Sequence, residues 1–231
     1  MESDRPPHFK VILGSSSIAR RSILTDMGYQ FTLMSADIDE KSIRKEKPEE
    51  LVLALAEAKA EAITQRIPDD VEDKPTLLVT CDQDCKQLRL LVGKVVHRSL
   101  QTKDRPLENL VVVYEDAVRE KPSSVEEARE YIRSYSKGRT ATVSSVVVTN
   151  LKTGFRKGGV DRVEIYFNEI SEEIIEKLIE EGMVLRVAGA LLIEHPLILP
   201  CVKEVVGTTD SVMGLPKPLT EKLLKEVLAT T

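Results

Sequence analysis

Phe9-Lys10-Val11-Ile12-Leu13-Gly14-Ser15-Ser16-Ser17-Ile18-Ala19-Arg20-Arg21 is the stretch whose reading decides the fold. Its apolar run reads as a short buried strand over Phe9 to Leu13. The four small residues after it read as a turn that opens a helix from about Ile18 to Met27, with Gly28 at its end. A strand, a small-residue turn and a helix start, in that order, mark an α/β protein. The same turn can carry chemistry, because backbone N–H groups at a helix start, three hydroxyls and an arginine pair one turn later form a phosphate cradle. Serines at helix starts are more often caps, and paired arginines more often a solvated face, so this segment alone does not establish a nucleotide site. It is not a P-loop, since no Gly-Lys-Ser/Thr follows, and it is not a Gly-x-Gly-x-x-Gly turn.

Further along the chain, Pro48 suits the first turn of a helix in which Leu51, Leu55, Ala58 and Ala62 recur at helical spacing through about Arg66, with Lys59 beside the apolar stripe. Thr76 to Cys81 reads as a β-rich run ending in Asp82-Gln83, and Val111 to Tyr114 as another strand. Ser124 and Glu127 have capping-box spacing at the start of a helix running to Gly138. A hairpin is expected next, with arms over Thr140 to Asn150 and about Val160 to Phe167 joined through Lys152-Thr153-Gly154. Ser171 caps a helix with Ile174, Ile175 and Leu178 on one face, which Gly182 ends. Short strands near Leu191 to Ile193 and Val202 to Val206 precede a last helix from about Leu219 to Ala229. No repeat divides the chain, and no linker is rich enough in Pro, Gly or Ser to do so.

Composition narrows the function classes. Of 231 residues, 42% are hydrophobic and 31% charged, with a net charge of -5. That is enough apolar content for a buried core and the wrong balance for a duplex-binding protein, so no nucleic-acid partner is expected. A polyanionic substrate must therefore meet a local cluster of Lys and Arg. No apolar run approaches the roughly 18 residues of a membrane span, and the N-terminal residues lack a basic segment followed by an apolar one, so the expectation is a cytoplasmic protein with no membrane partner. Cys81, Cys85 and Cys201, with His8, His97 and His195, match neither a zinc site nor a disulfide framework; a bound metal should sit on carboxylates and phosphate.

Asp37, Asp39 and Glu40 form an acidic cluster after the second strand, of the kind a hard divalent cation bridging phosphate oxygens requires, although a solvated loop reads the same way. Asp82 ends an apolar β-run, where carboxylates commonly point into a cleft in α/β proteins. Lys121 precedes Pro122, which keeps it extended and aims its ammonium group away from the following helix.

In order and spacing these pieces closely resemble the Maf family of nucleotide pyrophosphatases over nearly the whole chain. Leu13 to Arg21 looks like the family's Ser-x-Ser-Pro-Arg-Arg signature, with Ile18-Ala19 in place of the usual Pro-Arg. Asp37-Ile38-Asp39-Glu40, then Pro48 with Leu55-Ala56-Glu57-Ala58-Lys59-Ala60, then Val79-Thr80-Cys81-Asp82-Gln83 follow in the family's order. Glu120-Lys121-Pro122, Ser136-Lys137-Gly138-Arg139, Val187-Ala188-Gly189-Ala190 and Ser211-Val212-Met213-Gly214-Leu215-Pro216 complete the series. An inosine-triphosphate pyrophosphatase of related fold is a more distant reading, which the Ser-Arg and Asp-Ile-Asp-Glu motifs disfavour.

The resemblance implies a single domain over 1-231 with a mixed twisted sheet, flanking helices and an elongated two-lobed shape around a central cleft. It implies hydrolysis of a nucleoside triphosphate to the monophosphate and pyrophosphate, a Mg²⁺ or Mn²⁺ cofactor, and a homodimer. In such a site Arg20, Arg21, Lys59 and Lys121 would neutralise the phosphates, and Ser15 and Ser17 would contact phosphate oxygens. Glu40 and Asp82 would hold the metal, with Asp82 the choice for orienting or deprotonating the attacking water. Glu194 stands where another branch of the family has Gln; it resembles the branch that acts on 7-methyl-GTP more than the dTTP/UTP branch, and would contact the base. Asp84 to Leu110 interrupts the family pattern and reads as an insertion, since removing it restores the register. A competing reading is a non-catalytic nucleotide-binding or regulatory protein inactivated by that insertion.

Overall fold

The computed structural model describes residues 9–67, 74–82, 112–114, 117–119, 121–193 and 195–230. In chain order they form β1 (Lys10–Leu13), α1 (Ile18–Asp26), β2 (Phe31–Leu33), α2 (Pro48–Thr64), β3 (Thr76–Asp82), β4 (Val112–Tyr114), β5 (Ala117–Arg119), α3 (Val125–Tyr135), β6 (Arg139–Asn150), β7 (Arg156–Phe167), α4 (Glu172–Glu181), β8 (Val202–Val206), α5 (Thr209–Val212) and α6 (Lys217–Leu228). The chain divides into two compact units, one of Met1–Asp82, Ser144–Asp161 and Gly214–Thr231, the other of Gln83–Val143 and Arg162–Met213. Strands β6 and β7 each contribute to both. The expected insertion, Asp84 to Leu110, lies outside the described residues, as does Glu194.

In the first unit β1 runs parallel to both β2 and β3, with Val11 opposite Phe31 on one side and Leu77 on the other. β3 then pairs antiparallel with the second half of β6, placing Asp82 opposite Ser145. Every residue of β3 is buried, which explains why it reads as a near-continuous apolar run and not as an alternating one. Helix α2 turns Leu55, Ala56, Ala60 and Ile63 inward, and Ala56, Ala60 and Ile63 pack with Leu78 and Val147. Two side chains tie strand to helix by donating to carbonyls of α2: Thr80 Oγ1 donates to the Ala56 carbonyl at 2.9 Å and Ser145 Oγ to that of Val52 at 2.6 Å.

In the second unit β4 pairs antiparallel with β5 and with the first half of β6, and β7 pairs with β8. Val112, Ile132, Tyr135, Val163, Ile165, Phe167, Ile175 and Leu178 share one core. Ser124 caps α3 by accepting from the Glu127 N–H, Ser171 caps α4, and Gly182 ends it in the left-handed conformation at φ 70°. The Arg119 guanidinium lies 4.0 Å from the Tyr114 ring centroid and 4.5 Å from that of Tyr131, and donates to Ser134 Oγ.

Two sequence expectations need correction. Leu191 to Ile193 is not a strand: it follows a 3₁₀ turn at Ala188–Ala190. Gly189 (φ 58°) and Ala190 (φ 51°) are both left-handed, and the Tyr135 hydroxyl donates to the Gly189 carbonyl at 2.7 Å. Consecutive left-handed residues turn the chain before a ladder can form. The second hairpin arm begins at Arg156, not near Val160. Gly158 and Gly159 lie inside the strand where neighbouring side chains come close; a Cβ on Gly158 would lie 2.7 Å from Leu53 Cδ1 and one on Gly159 2.7 Å from Leu219 Cδ1.

Candidate active site

The first unit assembles its site from three places where chain direction changes. At the end of β1 the Gly14 N–H donates to the Val79 carbonyl at 2.8 Å, locking the serine turn to β3. A Cβ on Gly14 would lie 2.6 Å from Thr80 Cγ2 and 2.7 Å from Ile63 Cδ1, so only glycine lets the two strands and α2 close up here. Ser17, 1% exposed, caps α1 by accepting from the Arg20 N–H at 3.5 Å. Ser15 Oγ accepts from the Ser17 N–H at 3.2 Å. The Ser17 hydroxyl thus has a structural task, while Ser15 stands at the front of the turn.

Arg20 comes one turn into α1 and is 2% exposed. Its Nη1 donates to Ser15 Oγ at 3.1 Å and to the Cys81 carbonyl at 3.3 Å, and its Nε donates to the Gly214 carbonyl at 3.0 Å. Arg21 Nη2 donates to the Ser16 carbonyl at 2.9 Å. Arg20 Nη2 and Arg21 Nε are buried without a hydrogen-bond partner. A buried guanidinium N–H with no acceptor costs free energy unless an anion meets it.

Thr80 fixes where the carboxylate of Asp82 goes. Residues two apart on a strand share a face, so Asp82 faces α2 as Thr80 does, and Lys59, three residues beyond the Ala56 carbonyl that Thr80 holds, reaches it. Lys59 Nζ lies 2.8 Å from Asp82 Oδ1 and 2.7 Å from Glu40 Oε1. Of the three acidic residues after β2, Asp37 and Asp39 are exposed, while the Glu40 side chain, at the start of a 3₁₀ turn over Glu40–Ser42, is only 11% exposed. The structure thus separates the one inward carboxylate from two solvated ones.

Burial pushes the Asp82 carboxyl up, and although Lys59 and Arg20 pull it down, it stays above the ordinary aspartate value. Burial alone would lower the Lys59 ammonium; the charges of Asp82 and Glu40 outweigh this and hold it above the ordinary lysine value. Cys81 points to the other face of β3, where burial pushes its thiol up to about 11. Cys81 and Cys201 are both free and buried.

The chemistry of this donor set suits a hard cation that shares its coordination with substrate. Asp82 Oδ2 is buried and has no hydrogen-bond partner, which leaves an oxygen for a ligand. Among the described residues no three His, Cys, Asp or Glu side chains are grouped to hold a metal ion by themselves. One or two carboxylates completed by phosphate oxygens is how Mg²⁺ is commonly bound, and Glu40 with Asp82 fits that habit.

Lys121 lies in the second unit, half-buried in the bend before α3. Sequence reading did not find the Gly214 carbonyl or the Thr80 and Ser145 ties. The signal for the first was present in Met213-Gly214-Leu215-Pro216, a glycine just ahead of a proline-led helix, but nothing local says what its carbonyl holds. Among the described residues no helix is long and apolar enough to cross a membrane.

A family model described as Maf-like protein matches residues 10–227. A 7-methyl-GTP pyrophosphatase of Dictyostelium discoideum is 37% identical over 219 residues, covering 94% of this chain and 96% of its own. A dTTP/UTP pyrophosphatase of Bacillus velezensis is 30% identical over 218 residues, covering 94% and 96%. A nucleoside triphosphate pyrophosphatase of Salinispora tropica is 26% identical over 220 residues, covering 94% and 84%.

Proposed function

The chain belongs to the Maf-like protein family, and on that footing we propose that it is a nucleoside triphosphate pyrophosphatase, hydrolysing its substrate to the monophosphate and pyrophosphate. The observation that carries the reading is the Glu40–Lys59–Asp82 cluster beside a buried arginine, with one oxygen of Asp82 and one nitrogen of Arg20 still without partners. A binding protein that had lost turnover would need the cations but not a buried carboxylate of raised basicity.

In this reading Arg20 and Arg21 offer N–H donors to phosphate oxygens, and Lys59 neutralises charge that builds on the leaving pyrophosphate. Asp82 orients the attacking water at the α-phosphorus and takes its proton. Ser15 contacts a phosphate oxygen. For Lys121 and Glu194 the support is the family resemblance, which implies a phosphate contact for the first and a base contact for the second. Glu40 and Asp82 would hold Mg²⁺ or Mn²⁺, which when bound polarises phosphoryl oxygens.

For the base, we take 7-methyl-GTP as the first choice. Its support is the 37% identity to the relative of that name, against 30% for the dTTP/UTP enzyme named above, together with Glu194. A carboxylate only accepts hydrogen bonds, whereas an amide also donates, so a change from Gln alters base choice. Steady-state kinetics on 7-methyl-GTP, GTP, dTTP and UTP test this: kcat/KM should be highest for 7-methyl-GTP, and a clear preference for dTTP or UTP would contradict it.

A further inference from the structure

We propose that Gly214 is a positioning residue for the phosphate end of the substrate, acting through Arg20; the inference rests on the pyrophosphatase reading above. Gly214 belongs to the Ser211 to Pro216 motif, to which that reading gives no task. Its backbone is left-handed, at φ 93°, and its carbonyl accepts from Arg20 Nε at 3.0 Å. On the far side of the same guanidinium, Nη1 is held by Ser15 Oγ and the Cys81 carbonyl.

A guanidinium is a rigid plane, so anchoring Nε and Nη1 fixes where Nη2 points. Nη2 is the nitrogen left buried and without a partner. The Cys81 carbonyl that holds Nη1 belongs to the residue just before Asp82, so the guanidinium is anchored at the end of β3 that carries the carboxylate. Arg20 thus has two jobs on separate atoms: Nε and Nη1 brace the serine turn, the end of β3 and the Gly214 turn, and Nη2 is kept for a phosphate oxygen. Without the Gly214 carbonyl, the plane is held from one side only and Nη2 loses its aim.

Only glycine adopts φ 93° freely; Asn visits the left-handed region more readily than other side chains, and a β-branched residue there is strongly disfavoured. The test therefore compares Gly214→Val and Gly214→Asn with the unaltered chain, by calorimetric titration with pyrophosphate, by steady-state kinetics, and by hydrogen exchange at the Arg20 Nε–H in nuclear magnetic resonance spectra. Gly214→Val should weaken pyrophosphate binding by about tenfold or more, the loss of one charge-assisted hydrogen bond. KM should rise more than kcat falls, and the Arg20 Nε–H should lose its protection. Gly214→Asn should lose clearly less than Gly214→Val, since Asn enters positive φ at lower cost than a β-branched residue.

Unchanged pyrophosphate affinity in a folded Gly214→Val protein would overturn the proposal, as would an equal loss in both variants. Should Gly214→Val fail to fold, an unprotected Nε–H in the unaltered chain overturns it, and a protected one in both that chain and Gly214→Asn supports it. Failure of the pyrophosphatase reading has a different signature, since the unaltered chain would then bind no pyrophosphate, and both ideas would fall together.

Discussion

Asp82 carries the largest burden of any single side chain in this account. It is 1% exposed, ion-paired through one oxygen and unpartnered at the other. Asp82→Asn is nearly isosteric but removes the charge that a base or a metal ligand needs, so kcat should fall by roughly a thousandfold or more. Stability should stay within about 1 kcal/mol, because no volume is lost and Glu40 remains to pair Lys59. Denaturant melts and initial rates decide it, and a variant turning over at the unaltered rate would remove Asp82 from the mechanism. At this scale the sequence was a good guide to residue type and a poor guide to burial. Asp37, Asp39 and Glu40 cannot be told apart as letters, and only the 3₁₀ turn at Glu40 shows which one faces inward. Arg20 and Arg21 read as a pair, yet one braces three backbone segments and the other holds the Ser16 carbonyl.

Among the elements, the contact between the end of β1, β3 and α2 is what places the serine turn, and Gly14 is its tightest point. Gly14→Ala would drive a methyl group toward Thr80 Cγ2 and Ile63 Cδ1, both closer than van der Waals contact allows. Overpacking of this kind costs about 1–3 kcal/mol. The substitution should lower the melting temperature and raise KM, because the turn that carries Ser15 must move away from β3. Thermal melts and nucleotide kinetics that match the unaltered chain would show that the closure at Gly14 does not position the turn. Elements with a local signal were legible in advance: α1, α3 and α4 each start at a serine cap that the sequence announces. The start of the second hairpin arm and the stretch after Gly189-Ala190 were misread where the neighbours are distant in sequence: Leu53 and Leu219 lie against Gly158 and Gly159, and the Tyr135 hydroxyl holds the Gly189 carbonyl. No local pattern records those contacts.

At the scale of the whole molecule, the stretch from Asp84 to Leu110 separates Asp82 from Val112 along the chain. We propose that it is an insertion in a single Maf-like domain. Closing a loop costs free energy that grows only slowly with length, so a long excursion between two strands is tolerable. Its Leu and Val residues still favour association where they are exposed. A chain lacking residues 84–110 should therefore fold, melt at a higher temperature and hydrolyse nucleotide at least as fast. An unfolded or inactive deletion would show that the segment is part of the working protein.

In the proposed reaction water attacks at the α-phosphorus of a nucleoside triphosphate, and the most direct measurement follows the oxygen of that water. Hydrolysis of 7-methyl-GTP with Mg²⁺ in heavy-oxygen water, analysed by mass spectrometry, should place the label in the nucleoside monophosphate and leave the pyrophosphate unlabelled, with turnover abolished by excess EDTA. Label in the pyrophosphate, release of orthophosphate with a diphosphate, or no hydrolysis of any nucleotide in the panel would contradict the account.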